Sequence, residues 1–157
     1  MPKIENKLFD EICIGDTSTF TKTLKESDLM LFAAVSGDTN PLHLDEEYAK
    51  TSSFGERIAH GMWTGSLISA AIANKLPGPG SVYLGQSFTF KRPVKIGDTI
   101  EVTLEIKEKI TKRKRLLIAC KASNQHKQIV LTGEANVMAP ETKIIVEQPI
   151  LPSFTMK

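Results

Sequence analysis

The chain has 157 residues, of which 41% are hydrophobic and 24% charged, a composition typical of one globular domain. Its formal net charge of +2 is too small to indicate a nucleic-acid-binding protein. It contains no apolar run as long as a membrane span and no signal-peptide stretch at its start. Cys13 and Cys120 lie far apart, which indicates free thiols, so we expect a cytoplasmic protein without membrane contacts.

The first third of the chain predicts one helix between short extended segments. Residues 8–14 and 17–24 have the pattern of short strands or of lead-in segments around Gly15 and Asp16. Ser27 is a candidate N-cap for a helix that ends at Gly37. The buried face of this helix is predicted to comprise Leu29, Leu31, Phe32, Ala33 and Val35.

An irregular segment over residues 38–58, with a helical turn near 45–50, follows the first helix. A connection of this length inside a compact domain is more often functional than idle. Residues 60–75 then predict the clearest helix, which has apolar or small residues on every side and is therefore expected to be buried on most sides.

The second half of the chain predicts an antiparallel sheet. Its segments are rich in Val, Ile, Thr and Phe and are separated by short turns: 81–92, 99–110, 114–123 and 129–138. A meander of these strands wrapped around the buried helix would give an α+β fold. Residues 140–157 contain three prolines and are predicted to form a tail outside a domain that spans residues 1–139.

The stretch SGDTNPLH, residues 36–43, places an acid and an imidazole at the end of the first helix. Its residues are typical of turns, in which Asp38 would bind nearby backbone groups and His43 would have a structural role. Alternatively, Asp38 and His43 form a general acid/base pair. Pro41 fixes one backbone angle between them and restricts Asn40 to an extended conformation, which favours a rigid loop.

His60 and Gly61 stand at the predicted start of the buried helix. The unpaired N–H groups there suit an oxygen that gains negative charge, and Gly61 allows close approach to the backbone. Equally, Gly61 could allow tight packing while His60 caps the helix. Trp63 could shape a pocket, although a core position is the stronger expectation.

Other features carry less information. Gly85 within a strand predicts a bulge or a close neighbour. Two basic clusters, 112–115 and 91–92, are either solvated or bind phosphate. The sequence lacks the common hydrolase, zinc-protease and nucleotide-binding motifs, and the spacing of His43, His60 and His126 predicts no metal site.

Three segments in order resemble the MaoC-like hydratases, specifically the (R)-specific enoyl-CoA hydratases that supply monomers for polyhydroxyalkanoate synthesis. They are SGDTNPLHLDEEYAK, AHGMWTGSLIS and PGPGSVYLGQSFTFKRPVKIGDTI, and the resemblance covers about residues 10–138. It implies a hot-dog fold, in which an antiparallel sheet wraps around one long central helix.

The resemblance also implies roles for individual residues. Asp38 and His43 would be the catalytic pair, and Asn40 belongs to the same motif. The N–H of Gly61 would stabilise the thioester oxygen, and Ser69 would lie near the substrate. The implied reaction is syn hydration of a trans-2-enoyl-CoA to an (R)-3-hydroxyacyl-CoA.

No metal or redox cofactor is implied, because coenzyme A is part of the substrate. The family resemblance further implies a homodimer with sites near the interface. Two alternatives remain on the same fold. One is a different enzyme, above all a 3-hydroxyacyl-[acyl-carrier-protein] dehydratase, and the other is a non-catalytic acyl-CoA-binding module.

Overall fold

A computed structural model describes residues 1–157. Its strands are β1 (Lys3–Glu5), β2 (Thr17–Thr23), β3 (Val82–Phe90), β4 (Thr99–Ile110), β5 (Arg115–Ser123), β6 (Ile129–Met138) and β7 (Ile145–Glu147). Its helices are α1 (Glu26–Ser36), α2 (Pro41–Leu44), α3 (Glu46–Thr51) and α4 (Gly61–Asn74). Single turns of 3₁₀ helix cover Phe9–Glu11 and Lys112–Lys114, so residues 8–14 form a lead-in segment and not a strand.

The main sheet has five antiparallel strands in the order β2-β4-β5-β6-β3, and α4 packs against β2, β4 and β5. Apolar side chains alternate along the central strands with the period of two that a half-buried strand requires. The buried positions are Ile100, Val102, Leu104 and Ile106 on β4, and Leu116, Ile118, Cys120 and Ala122 on β5. The predicted α+β hot-dog architecture is confirmed.

The predicted meander is correct for β4, β5 and β6 but wrong for β3, which pairs with β6 at the far edge. The turn-forming residues between β3 and β4 suggested a hairpin. The connection instead runs across the end of the sheet, where Val94 is buried and Lys95 pairs with Ile58. Eight extended residues reach up to about 26 Å, enough to cross the intervening strands, which lie roughly 4.8 Å apart.

Helix α1 differs from its prediction at its start and on its buried face. It begins one residue before Ser27, because the Asp28 carboxylate accepts a hydrogen bond from the N–H of Lys25, which is the N-cap. Only Leu29 and Ala33 are buried, whereas Val35 is 87% exposed. The helix lies on the protein surface and contacts the core through one narrow stripe.

Helix α4 is buried on one side only, which corrects the prediction of burial all round. Its buried residues are Trp63, Thr64, Gly65, Leu67, Ile68, Ala71 and Ile72. Met62, Ser66 and Ser69 lie on the opposite, exposed face. Trp63 belongs to the core, as expected. None of the helices is both long and apolar enough to cross a membrane.

Two glycines of α4 allow aromatic rings of β3 to pack against the helix. A Cβ atom at Gly61 would lie 2.9 Å from Cε1 of Phe90, and one at Gly65 would lie 2.8 Å from Cε2 of Phe88. Distances below 3.0 Å require the ring to move, so both glycines serve close packing. The structure therefore confirms the packing role that the sequence suggested for Gly61.

The two ends of the chain pair with each other. β1 and β7 form a small antiparallel sheet, with Lys3 opposite Glu147. Asn6 is fully buried and binds the carbonyls of Pro79 and Thr142 and the N–H of Ile144. Residues 140–147 of the predicted tail therefore pack on the N-terminal segment, and the division of the chain at residue 139 stays a prediction.

Candidate active site

Hydrogen bonds between residues that are close in sequence shape the loop after α1. Gly37 ends the helix with a φ of 80°, a conformation that glycine adopts without strain. The Ser36 hydroxyl donates to the carbonyl of Phe32 and accepts from the N–H of Asp38. The Asp38 carboxylate in turn accepts from the N–H of Asn40 through Oδ1. The turn-forming role anticipated for Asp38 is thus present, and its Oδ2 atom binds no group of the chain.

Asn40 caps α2 and so orients His43. Its Oδ1 atom accepts from the N–H of Leu42 at 3.0 Å, and Pro41 follows at the first helical position. The imidazole of His43 leaves this turn towards the protein interior and is 8% exposed. Its Nδ1 atom lies 2.7 Å from the carbonyl oxygen of Ile58. Because a carbonyl only accepts, Nδ1 carries a proton and Nε2 of the neutral ring is an acceptor.

His60 joins this group, although the sequence indicated only a helix cap. It occupies the N-cap position of α4 but makes no side-chain cap bond. Its Nε2 atom instead donates to the backbone carbonyl of Asp38 at 3.0 Å. Its ring stacks on His43 with centroids 3.8 Å apart and an interplanar angle of 25°. His60 therefore connects the loop of Asp38 to the start of α4, and its Nδ1 is buried without a partner.

The structure brings Asp38, His43 and His60 together, so that one potential ligand atom of each lies within 4.8 Å of the others. The sequence spacing gave no indication that His43 and His60 would be neighbours, whereas His126 lies in the exposed β5–β6 turn. Nδ1 of His43 and Nε2 of His60 already bind backbone carbonyls, so each histidine has one ring nitrogen left for a ligand or a proton.

Gly61 is the first residue of α4, and its N–H donates to no acceptor of the chain. This is the usual state of a helix start, where the dipole adds positive potential. Gly61 lines a cavity of about 280 Å³ together with His60, Lys91 and Arg92. An oxygen that gains negative charge at this point would meet an N–H donor beside the His43–His60 stack.

Ser69 lies apart from Asp38 and His43. Two turns of α4 separate it from Gly61, about 12 Å along the helix axis. It lines a second cavity of about 450 Å³ between α4 and β3, together with Phe32, Met62 and Gly85. Gly85 follows a break in strand register, as predicted, but a Cβ there would meet no neighbour. The geometry alone does not join Ser69 to the acid and the imidazoles.

Comparisons with known proteins find similar sequences and similar folds. The family model described as MaoC like domain matches residues 13–128. The 3-hydroxybutyryl-CoA dehydratase of Methylorubrum extorquens is 43% identical over 141 residues, which cover 90% of this chain and 89% of that protein. The (R)-specific enoyl-CoA hydratase of Rhodospirillum rubrum is 43% identical over 132 residues, 84% of this chain and 91% of that protein.

A solved structure described as R-hydratase PhaJ1 from Pseudomonas aeruginosa, in its unliganded form, superimposes with a TM-score of 0.95. It is 50% identical in sequence, and the match covers 99% of this chain and 100% of that one. The similarity therefore includes the chain ends, which lie outside the residues matched by the family model.

Proposed function

The chain belongs to the MaoC-like domain family, and from this premise we propose that it is an (R)-specific enoyl-CoA hydratase. This lyase would add water reversibly to a trans-2-enoyl-CoA and form an (R)-3-hydroxyacyl-CoA. The observation that carries the proposal is the placement of Asp38 and His43 beside the free N–H of Gly61. The relatives from Methylorubrum extorquens and Rhodospirillum rubrum are named for the same class of reaction.

In the proposed mechanism, one water molecule is held between Asp38 and His43. The Nε2 atom of neutral His43 accepts one hydrogen bond from this water, and the Asp38 carboxylate takes its other proton as the oxygen attacks the β-carbon. The carboxyl group then returns that proton to the α-carbon on the same face. Both atoms of the broken O–H bond thus enter the product, and Asp38 is regenerated.

The thioester oxygen gains negative charge when the β-carbon is attacked. We place this oxygen at the N–H of Gly61, where the α4 dipole adds to the stabilisation. A preorganised donor of this kind contributes roughly 3 kcal/mol to transition-state stabilisation. Because this donor belongs to the backbone, replacement of a side chain cannot remove it.

The remaining site residues have supporting roles in this proposal. Asn40 positions His43 through its cap of α2, and its amide N–H₂ group is available to the substrate. Ser69 would line the path of the acyl chain, in the cavity between α4 and β3. No metal or redox cofactor takes part in the scheme.

We also propose that the protein is a homodimer joined through β3. This strand is one edge of the sheet, and an unpaired edge strand invites pairing with another chain. Tyr83 and Leu84 on β3 and Met62 on α4 are 40%, 42% and 55% exposed, which is unusual for large apolar groups that lie close together. A second copy on this face would cover them and also close the cavity that Ser69 lines.

The two free cysteines, one exposed and one buried, are compatible with the proposed cytoplasmic location, because reducing compartments keep thiols unpaired. Fractionation of the native source would test this location. Supply of polyhydroxyalkanoate monomers and degradation of fatty acids use the same reaction, so the proposal covers both.

The decisive experiment mixes the purified protein with crotonyl-CoA and measures the decrease in the absorbance of the enoyl thioester. A coupled dehydrogenase specific for the (R) or the (S) product would read the stereochemistry. Rapid loss with an (R) product supports the hydratase. If crotonyl-CoA and longer enoyl-CoAs do not react but carrier-linked substrates do, the protein is an acyl-carrier-protein dehydratase and not a CoA hydratase. If neither type of substrate reacts, the protein is a non-catalytic binding module.

A further inference from the structure

The cavity beside Gly61 is lined both by the start of α4 and by two basic residues. His60 and Gly61 belong to the first group, and Lys91 and Arg92 follow directly after β3. The backbone of both basic residues is fixed, because their N–H groups donate to the carbonyl of Val130. A ligand whose reactive group reaches Gly61 through this cavity therefore passes two cationic side chains.

The charges of Lys91 and Arg92 are not neutralised within the chain. Neither residue forms an ion pair, although Lys95 pairs with Glu56 and Lys143 pairs with Glu5 and Glu11. No acidic residue lines the cavity. Arg92 uses one nitrogen, Nη1, to donate to the carbonyl of Ile129, which leaves its other guanidinium donors available. Two unpaired cations at the rim of a cavity attract an anion.

The chemical structure of the thioester carrier, coenzyme A or a carrier protein (the handle of the substrate), indicates which anion binds here. In the proposed reaction the thioester is at Gly61, and the pantetheine arm leads away from it to phosphate. His60 lines the same cavity, while its Nδ1 atom is buried and has no partner in the chain. Arg is suited to phosphate because its planar donors bind two oxygens at once.

Resting on the proposed function, we propose that Lys91 and Arg92 bind the phosphate groups at the far end of the pantetheine arm and determine specificity for the handle. Coenzyme A offers a pyrophosphate and a further phosphate on the ribose, whereas a carrier protein offers one phosphodiester. The two residues thus favour the CoA thioester through charge. The run at residues 112–115 has four basic residues, but Lys112, Arg113 and Lys114 lie in an exposed turn, which agrees with the solvated alternative considered from the sequence.

The test compares three crotonyl thioesters: those of pantetheine, of 4′-phosphopantetheine and of CoA. For Lys91→Gln together with Arg92→Gln, we expect KM for crotonyl-CoA to rise about tenfold or more, because the charge-assisted contacts to phosphate are lost. The rise should be smaller for the phosphopantetheine ester and less than twofold for the phosphate-free ester. Lys112→Gln with Arg113→Gln removes the same charge and should leave all three KM values unchanged.

A second measurement does not depend on catalysis. Calorimetric titration with free CoA should give a Kd that rises in the double variant and, to a smaller extent, in Lys91→Gln alone and in Arg92→Lys. An equal loss for the phosphate-free ester, or CoA binding like that of the control pair, would overturn the assignment. If the wild-type protein hydrates none of the thioesters but loses CoA binding on substitution, the proposed function fails while the phosphate site stands.

Discussion

The rings of His43 and His60 lie 3.8 Å apart and nearly parallel, and each ring binds a backbone carbonyl of a different segment. His43 binds the carbonyl of Ile58, just before α4, while His60 binds the carbonyl of Asp38, just after α1. Two segments far apart in sequence are thereby cross-linked through one stacked pair. The acid and the imidazole of the proposed mechanism share this support.

We predict that His60 is a positioning residue whose hydrogen bond and stacking can be separated. His60→Phe keeps an aromatic ring on His43 but leaves the Asp38 carbonyl without its donor, whereas His60→Gln keeps a donor and loses the stack. We expect kcat to fall by up to about 100-fold in His60→Phe, because small displacements of a reacting group are costly.

The measurement is steady-state hydration of crotonyl-CoA together with the pH profile of kcat for both variants. A purely structural role for His60 would lower the free energy of unfolding and leave the pH profile of the remaining folded enzyme unchanged. The phenylalanine variant should instead shift the profile, because the carboxylate of Asp38 is displaced relative to His43.

Asp38→Asn and His43→Ala should each lower kcat by about 10²–10⁴-fold, since each removes a proton-transfer group. Circular dichroism should remain that of the wild type. His126→Ala, in the exposed β5–β6 turn, and Asp16→Asn, whose carboxylate likewise binds a backbone N–H in a turn, are matched controls. Activity near the wild-type level in either site variant would contradict the mechanism.

We predict that Gly133 is required for the pairing of β3 with β6. An ideal Cβ at Gly133 would overlap the carbonyl oxygen of Ser87, a backbone atom that cannot move without disrupting the strand. Gly133→Ala should lower the free energy of unfolding by about 3 kcal/mol or more, at the upper end of overpacking effects. Urea denaturation measures this loss, and Gly85→Ala, where a Cβ meets nothing, should change it little.

The sequence predicted the secondary structure of the site better than its tertiary contacts. Turn residues located the loop of Asp38, and an uninterrupted run of apolar and small residues located α4, because these signals are local. The stack of His43 on His60 was not predictable in this way, since the two residues meet only when α2 and the start of α4 are brought together. The edge position of β3 was missed for the same reason.

The exposed face of α4 could not be predicted from composition either. Small residues such as Ser66 and Ser69 are equally compatible with a buried position in the core and with a position on the exposed face of a helix. Gly65 and Gly133 likewise gave no signal of their own, because the atoms that require a glycine belong to Phe88 and Ser87 on a different strand. The positions of these partners became clear only from the strand register.

We predict that the stability of the fold decreases at alkaline pH through Cys120 and Tyr83. Burial raises the pKa of Cys120 from 9.0 to about 11, and the partial burial of Tyr83, which is 40% exposed, raises its pKa from 10.0 to about 12. Both groups therefore lose their protons more readily in the unfolded chain than in the folded one. Their contribution is complete below pH 9 and is lost as the pH rises through 11 and 12.

Urea denaturation between pH 8 and about 11 checks this prediction. Cys120→Ala should flatten the decline in the free energy of unfolding over this range. Cys13→Ala, which alters an exposed thiol, should leave the decline unchanged. Identical slopes for the wild type and Cys120→Ala would show that the thiol does not contribute.

We predict that the proposed dimer depends on the β3 face. Leu84→Lys places a charge on the exposed edge strand and should convert the dimer into a monomer, as measured by sedimentation velocity. Val35→Lys introduces the same charge at a more exposed apolar residue, on α1, and should leave the dimer intact. A wild-type protein that sediments as a monomer at all concentrations would contradict the proposal directly.

The pairing of β1 with β7 has a practical consequence for attaching the protein to a surface. Lys3 and Gln148 line a groove with Asn74 and Lys75, at the C-terminal end of α4. Fourteen helical residues, about 21 Å, separate that end from Gly61. A tether fused to the N-terminus would therefore leave from beside the end of α4 that is remote from Gly61, so protein immobilised in this way keeps the cavity turned towards the bulk solution.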